Sequence, residues 1–123
     1  MYSHILEADV VADAGKIVVM ITTLNVEEAH NIAKLLLNKR KVACVNIVPR
    51  VDSLFWWEDE VDSTQESLLI AKTKASLLTE IIELVNSIHS YEVPEVIALP
   101  VIGGSADYLN WIDSELENYA NNQ

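Results

Sequence analysis

The sequence predicts an α+β domain in which two helices cover one face of a four-stranded antiparallel sheet and a further helix follows at the C-terminus. Three observations predict this architecture. Apolar runs and helical stripes follow the order strand, helix, strand, strand, helix, strand, helix, which is the split β-α-β order of the ferredoxin-like fold. The chain has 123 residues, 50% of them hydrophobic, which suits one domain with a substantial core. Right-handed crossovers place the first two helices on the same face of the sheet.

Residues 1–15 are predicted to form an N-terminal tail, and residues 16–123 a single domain. The tail contains three acidic residues and no Lys or Arg. It therefore lacks the positive segment of a secretory signal, and we expect an untargeted, cytoplasmic protein. The apolar residues Val10 and Val11 leave open a short extra strand within the tail.

The first strand and the first helix have clear local signals. A run rich in β-branched residues at 16–23 is too short for an independent helix and predicts a central strand. Asn25 then offers an N-cap, and Glu28, three residues later, completes a capping-box pattern. Apolar residues follow at helical spacing: Val26, Ala29, Ile32, Ala33, Leu36 and Leu37.

The second and third strands are predicted to form a hairpin. The second strand occupies 42–48 and resumes at 51–57 after Pro49, which cannot donate to a ladder and marks an edge or a bulge. The acidic segment 58–66 predicts a solvent-exposed hairpin tip. The third strand is predicted at 68–74.

The remaining elements are a helix, a strand and the final helix. Ser76 is the predicted cap of the second helix, which ends before Pro94. The fourth strand is predicted at 95–102, bent or at an edge because it contains Pro100. Ser105 follows two glycines and is the predicted cap of the final helix. One face of that helix is given by Tyr108, Ile112, Leu116 and Tyr119.

The other face of the sheet is predicted to lack a cover. Phe55, Trp56 and Trp57 are consecutive on a strand, so their rings project to both faces. An apolar surface of this kind calls for a partner. Self-association through the sheet is the simplest completion.

The composition excludes several classes of function. Lys and Arg total 8 against 19 Asp and Glu, and the net charge of −11 repels phosphate backbones and anionic membranes. We therefore expect no nucleic-acid or membrane partner, and no apolar run reaches the ~18 residues of a membrane span. The single cysteine excludes an intrachain disulfide framework. No Gly-rich phosphate loop or Ser/His/Asp signature indicates an enzyme.

Three kinds of side chain remain as candidates for chemistry. His89 opens the segment 89–95, whose imidazole and two carboxylates are ligands for copper or zinc, with a helix-capping histidine as the alternative. Lys72 and Lys74 share one strand face and either gather an anionic ligand with helix N-termini or pair with neighbouring acids. Cys44 lies in an apolar strand and is expected to point into the core as a small hydrophobe.

Five short motifs carry a family resemblance. They lie at 43–49, 53–58, 72–73, 89–95 and 108–111. In this order they closely resemble the CutA divalent-cation-tolerance family, over about residues 16 to 116. The resemblance implies the ferredoxin-like fold, assembled as a tight homotrimer in which long hairpin strands of neighbouring subunits pair edge to edge. It also implies a role in tolerance to copper and other divalent cations.

The resemblance implies two sets of site residues. Metal ligands are implied at His89, at Glu95 and at the position just before the first-strand threonine, where the family has a cysteine. That last position is Ile21 here, so the soft ligand that favours Cu(I) is absent, and the implied site is a weak one with nitrogen and oxygen ligands. Five further matching residues either line an interface cleft or serve as packing residues: Trp57, Lys72, Tyr91, Tyr108 and Trp111.

The sequence leaves three functions open. The first is a non-enzymatic homotrimer of divalent-cation (copper) tolerance or homeostasis, which binds copper or another divalent cation weakly and needs no obligatory cofactor. The second is a regulatory trimer that binds a small anionic ligand at its subunit interfaces. The third is an assembly or anchoring protein without a small ligand. The resemblance and the acidic charge favour the first.

Overall fold

The computed structural model describes residues 10–12 and 15–121 of the chain, with side chains over 15–116. The strands are β1 (Val10–Ala12), β2 (Lys16–Thr23), β3 (Cys44–Trp57), β4 (Glu60–Lys74), β5 (Val96–Pro100) and β6 (Gly103–Ser105). The helices are α1 (Val26–Asn38), α2 (Leu78–Ile88) and α3 (Ala106–Asn121), and a 3₁₀ turn at Ala75–Leu77 precedes α2. The predicted order of elements is confirmed over 16–121 with one addition, the short strand β6, which the sequence did not predict.

The main sheet has four strands in the order β3-β4-β2-β5, and every neighbouring pair is antiparallel. Burial alternates strictly along β2, where Ile17, Val19 and Ile21 are buried against the helices. This alternation follows from the two-residue period of a strand. The predicted fold class, a ferredoxin-like α+β sandwich with helices on one face, is therefore confirmed.

The core lies between this sheet and helices α1 and α2. The buried apolar residues of α1 and α2 pack against those of β2 and β4: Ile17, Val19, Ile21, Ala29, Ile32, Ala33, Leu36, Val42, Leu69, Ala71, Ile81 and Val85. Helix α3 packs elsewhere, with Leu109, Ile112 and Leu116 against Ala43, Leu77 and Val101. A salt bridge of 2.8 Å between Arg40 Nη1 and Glu115 Oε2 ties α3 to the end of α1.

The helix starts agree only partly with the sequence. Asn25 Oδ1 accepts from the Glu28 N–H at 2.9 Å, which confirms the predicted cap of α1. In a capping box the glutamate would accept from the Asn25 N–H in return. Here Glu28 Oε1 accepts from the Leu24 N–H instead. The predicted cap at Ser76 is wrong, because Ser76 lies inside the 3₁₀ turn and α2 starts without a side-chain cap. Ser105 Oγ accepts from the Tyr108 N–H at 3.4 Å, as predicted for α3.

The hairpin tip is much shorter than predicted. β3 and β4 pair as far as Trp57 and Glu60, so the turn is only Glu58 and Asp59, with φ angles of 49° and 65°. Positive φ at both central residues is typical of the tight hairpin turn. The segment 60–65 is polar because it is exposed to water on a two-stranded ribbon, and not because it is a loop. We call residues 52–57 and 60–65 the arm.

Pro49 marks a bulge within an edge strand, as predicted. The pairing register of β3 with β4 shifts between Val48 and Val51, and β3 is the outermost strand of the sheet. The Ser67 hydroxyl donates to the Pro49 carbonyl at 2.6 Å. An extra residue at this point bends the strand away from the sheet, and the arm begins beyond it.

The face of the main sheet opposite α1 and α2, which we call the open face, carries mixed residues. Ile97 and Leu99 of β5 are half-exposed there. Cys44 also lies on this face, because its neighbour Val45 packs against the core and successive strand residues point to opposite sides. The expectation that Cys44 points into the core is therefore wrong.

The predicted tail contains a strand that pairs at the far end of the chain. β1 is antiparallel to β6, with Val11 opposite Gly104, and the two form a separate small sheet. The rest of the predicted tail, 1–9 and 13–14, lies outside the described residues. Within the described part of the chain no helix is long and apolar enough to cross a bilayer.

Candidate functional site

His89 sits where α2 ends, and its side chain is fully buried, with 0% exposed. Nε2 lies 2.8 Å from the Thr22 carbonyl oxygen, and Nδ1 accepts from the Tyr91 N–H at 3.0 Å. Nε2 is thus placed against a carbonyl oxygen and Nδ1 against a backbone N–H. Both ring nitrogens are therefore engaged with the backbone.

Glu28 holds the loop after α2 against the start of α1. Its Oε1 accepts from the Ser90 hydroxyl at 3.0 Å, and its Oε2 accepts from the Ser90 N–H at 2.8 Å. Burial alone raises the pKa of Glu28, but the bonds from Leu24 and Ser90, together with His89, outweigh it and lower that pKa overall. The carboxylate is thus a charged acceptor that ties two turns of the chain together.

Tyr91 links the same loop to the main sheet. Its hydroxyl donates to Glu66 Oε2 at 2.8 Å, and Glu66 is only 8% exposed. Burial and the neighbouring Glu66 carboxylate raise the pKa of Tyr91 to about 12. The ring centroids of Tyr91 and His89 are 4.8 Å apart. Glu28, Glu66, His89, Ser90 and Tyr91 form one network, which we call the His89 network.

The implied metal ligands do not form a ready-made site within the subunit. Glu95 is exposed, and no hydrogen bond or ion pair joins it to His89 among the described residues. Ile21 is fully buried in the core, so the position of the implied soft ligand is apolar. No three His, Cys, Asp or Glu side chains are grouped to hold a cation in the described part. The residues present do not fit a resident metal, and metal binding at His89 and Glu95 stays a prediction.

A second group lies on the open face, where β3 and β4 meet α3. Lys72 is directly opposite Cys44 in the strand register, and its Nζ is 4.0 Å from Cys44 Sγ. The Lys72 ammonium also donates to Asn46 Oδ1. Burial and a hydrogen bond with the Cys44 thiol raise the pKa of Tyr108. The Tyr108 ring stacks on Trp111, with centroids 5.5 Å apart, and we call these five residues the open-face cluster.

The structure separates the five predicted cleft residues. Lys72, Tyr108 and Trp111 come together in the open-face cluster. Tyr91 belongs to the His89 network, and Trp57 lies at the end of the arm. The sequence did not predict the contacts that five further residues make in these two groups: Cys44, Asn46, Glu28, Glu66 and Ser90. Strand alternation and the register of the hairpin could have indicated the contacts of Cys44 and Asn46.

A family model described as CutA1 divalent ion tolerance protein matches residues 17–115. The chain belongs to this CutA family. It is 47% identical over 102 residues to the chloroplastic protein CutA of Arabidopsis thaliana, a match that covers 83% of this chain and 56% of the relative. It is 44% identical over 95 residues to the divalent-cation tolerance protein CutA of Thermus thermophilus, covering 77% of this chain and 92% of the relative.

Solved CutA structures share the fold. The periplasmic divalent cation tolerance protein CutA of Archaeoglobus fulgidus superimposes with a TM-score of 0.80 at 38% identity, covering 82% of this chain and 98% of that one. CutA1 of Oryza sativa gives a TM-score of 0.80 at 44% identity, covering 83% and 94%. The chain spans about half the length of the plant and mouse CutA sequences it matches. Strand β1 lies before the residues that match the CutA family model.

Proposed function

We propose that this CutA protein acts as a non-enzymatic homotrimer in tolerance to divalent cations, copper among them, and that it binds such cations weakly. The observation that carries the proposal is the exposed arm of a chain that belongs to a divalent ion tolerance family, together with the half-exposed Ile97 and Leu99 on the open face. The net charge of −11 adds a general attraction for cations.

The arm supports self-association. Leu54 is 71% exposed and Trp56 is 75% exposed, in the part of the hairpin where β3 and β4 pair only with each other among the described residues. A two-stranded ribbon is marginal on its own in water, and large apolar side chains grouped on a surface mark an interaction site. A second and a third copy of the chain would cover the arm and the half-exposed Ile97 and Leu99 of the open face.

Multi-angle light scattering at micromolar concentration tests the assembly. We expect about three times the subunit mass of 13.7 kDa. Trp56→Asp places a charge on the arm and is expected to lower the mass. Val26→Asp is the matched control, because Val26 is an exposed apolar residue in the first turn of α1, where an acidic side chain is tolerated. A wild-type mass near 13.7 kDa would overturn the trimer.

Weak cation binding is proposed at His89 and Glu95. A cation at Nδ1 would displace the Tyr91 N–H, and this cost supports a low affinity. Imidazole and carboxylate suit Cu(II) and Zn(II). Since only a neutral imidazole binds a metal, the affinity should fall as the solution becomes more acidic.

Calorimetric titration with Cu(II) at pH 7.5 tests this site. We expect His89→Ala and Glu95→Gln to weaken binding, while His30→Ala, which changes an exposed histidine on α1, should leave it unchanged. Glu95 is exposed, so its variant separates loss of a ligand from loss of the fold. Equal isotherms for wild type and both variants would assign the ligands to other residues.

A regulatory trimer that binds a small anionic ligand is the second candidate. The open-face cluster favours it, because Lys72 supplies a cation beside the stacked rings of Tyr108 and Trp111. Native mass spectrometry of the purified protein is expected to show the bound small molecule if this function holds. Lys72→Met should then abolish the added mass, and a ligand-free spectrum for wild type would count against this candidate.

A further inference from the structure

The open-face cluster brings the cysteine of this chain next to a primary amine. Cys44 and Lys72 are register partners on adjacent strands, and Sγ and Nζ are 4.0 Å apart. Tyr108 contributes a hydroxyl to the same sulfur. Cys44 is half-buried on the open face and forms no disulfide. The sulfur therefore has an amine and a phenol as its polar neighbours.

This arrangement matters for oxidation. Peroxides oxidise the thiolate of cysteine to a sulfenic acid, which then condenses with a nearby thiol or nitrogen nucleophile. The sequence has one cysteine, so no second thiol within the chain can resolve a sulfenic acid at Cys44. The amine of Lys72 is the nitrogen nucleophile in contact with this sulfur.

We propose that Cys44 and Lys72 form a peroxide-sensitive redox pair, in which oxidised Cys44 closes a sulfenamide bond to Lys72 Nζ. In the first step the Cys44 thiolate attacks hydrogen peroxide. An S–O bond forms and the O–O bond breaks. The hydroxide that leaves takes a proton from the Lys72 ammonium and becomes water, so Lys72 is left as a neutral amine. The sulfur is oxidised by two electrons and the peroxide is reduced.

In the second step the neutral amine of Lys72 attacks the sulfur of the sulfenic acid. An S–N bond forms and the S–O bond breaks. The departing hydroxide takes up the proton lost by the amine and leaves as a second water. The net change converts one thiol, one amine and one peroxide into one sulfenamide and two waters.

The backbone is already arranged for this bond. Side chains directly opposite each other on antiparallel strands have Cβ atoms about 4.5–5.5 Å apart, and the lysine side chain is flexible. Closure requires a shift of the Lys72 side chain from Asn46 to Cys44, without movement of β3 or β4. The product would be a covalent staple between the two strands. The pair does not depend on cation binding at His89 and Glu95.

Mass spectrometry after treatment with hydrogen peroxide tests the pair. We expect the intact protein to lose about 2 Da, and dithiothreitol to restore the original mass. Trypsin cannot cleave after a modified Lys72, so the cross-linked product should join peptide 42–50 to peptide 51–74. A wild-type protein that only gains oxygen, in steps of about 16 Da, would overturn the proposal.

Two variants serve as matched tests. Lys72→Arg keeps the positive charge but removes the nucleophilic amine, so the 2 Da loss should disappear and sulfenic acid should become trappable with dimedone. Lys74→Arg makes the same change two residues along on the same face and should leave the cross-link intact. A 2 Da loss that persists in Lys72→Arg would show that another nitrogen is the partner.

Discussion

The two ends of the β3–β4 hairpin differ in burial although the same two strands form both. At the hairpin base, residues 44–48 pair with 68–72, β2 lies alongside β4, and Leu69 is fully buried beneath the helices. In the arm the same two strands remain an antiparallel pair, with the register shifted at the bulge, but Trp56 is 75% exposed. Both ends are therefore paired through the backbone, and only the hairpin base is buried. The hairpin base is covered by its own chain, whereas the arm leaves large apolar side chains exposed.

The largest expected effect on the free energy of unfolding comes from making the same substitution at each end of the hairpin. Leu69→Ala removes a fully buried side chain and leaves a cavity, so we expect a loss of about 2–5 kcal/mol in the free energy of unfolding. Leu54→Ala is the same change in the arm, where the side chain is 71% exposed within the subunit. Urea denaturation at a concentration where the protein is monomeric should show little loss for Leu54→Ala. Equal losses would mean that the arm packs against its own subunit.

The next largest effect on the free energy of unfolding is expected at the junction of the hairpin base and the arm. Tyr91→Phe removes the hydroxyl that donates to Glu66, and an almost buried carboxylate is left with one partner fewer. We expect a loss of about 1–3 kcal/mol in the free energy of unfolding near neutral pH. Glu66 pairs with Val51 just before the arm begins, so the loss would show that the loop after α2 stabilises the junction.

The same hydrogen bond predicts a dependence on pH. The folded-state pKa of Tyr91 is about 12, above the ordinary value of about 10. Its contribution is therefore complete below pH 10 and is lost as the pH rises towards 12. Thermal melts should show wild type losing stability faster than Tyr91→Phe over this range. Parallel curves for the two proteins would contradict the raised pKa.

The smallest expected effect concerns the turn at the end of the arm. Asp59 has a φ of 65°, a left-handed conformation that glycine adopts without strain. Asp59→Gly is therefore expected to raise the free energy of unfolding by about 0.5–1 kcal/mol. Asp62→Gly changes the same residue type within the paired strand and should lower it instead. The midpoints of urea denaturation distinguish the two directions.

The sequence predicted the fold because local and periodic signals agree along the chain. The strand predicted at 16–23 and the Asn25 cap both reappear in the structure. The acidic segment 58–66 misled the prediction, since polar composition reports exposure and does not distinguish an exposed ribbon from a loop. The prediction that Ser76 caps α2 failed because the chain enters a 3₁₀ turn before α2 begins.

The candidate sites were predicted less well, because side-chain partners depend on register. Lys72 was recognised as a candidate, but its contact with Cys44 follows only from the pairing of β3 with β4. Likewise, a sequence cannot show that the two nitrogens of His89 are taken by Thr22 and Tyr91. These partners lie up to 67 positions apart in sequence, as in the case of Thr22 and His89.

The bulge at Pro49 also bears on resistance to polymerisation. The two edges of the main sheet, β3 and β5, are different surfaces, so strand addition between copies would join unlike edges and could continue into a filament. Proline has no N–H, and the Pro49 carbonyl already accepts from Ser67, so this point of the β3 edge has little to offer an incoming strand. Pro100 likewise removes a donor from β5. Each edge thus contains a residue that limits open-ended fibre growth.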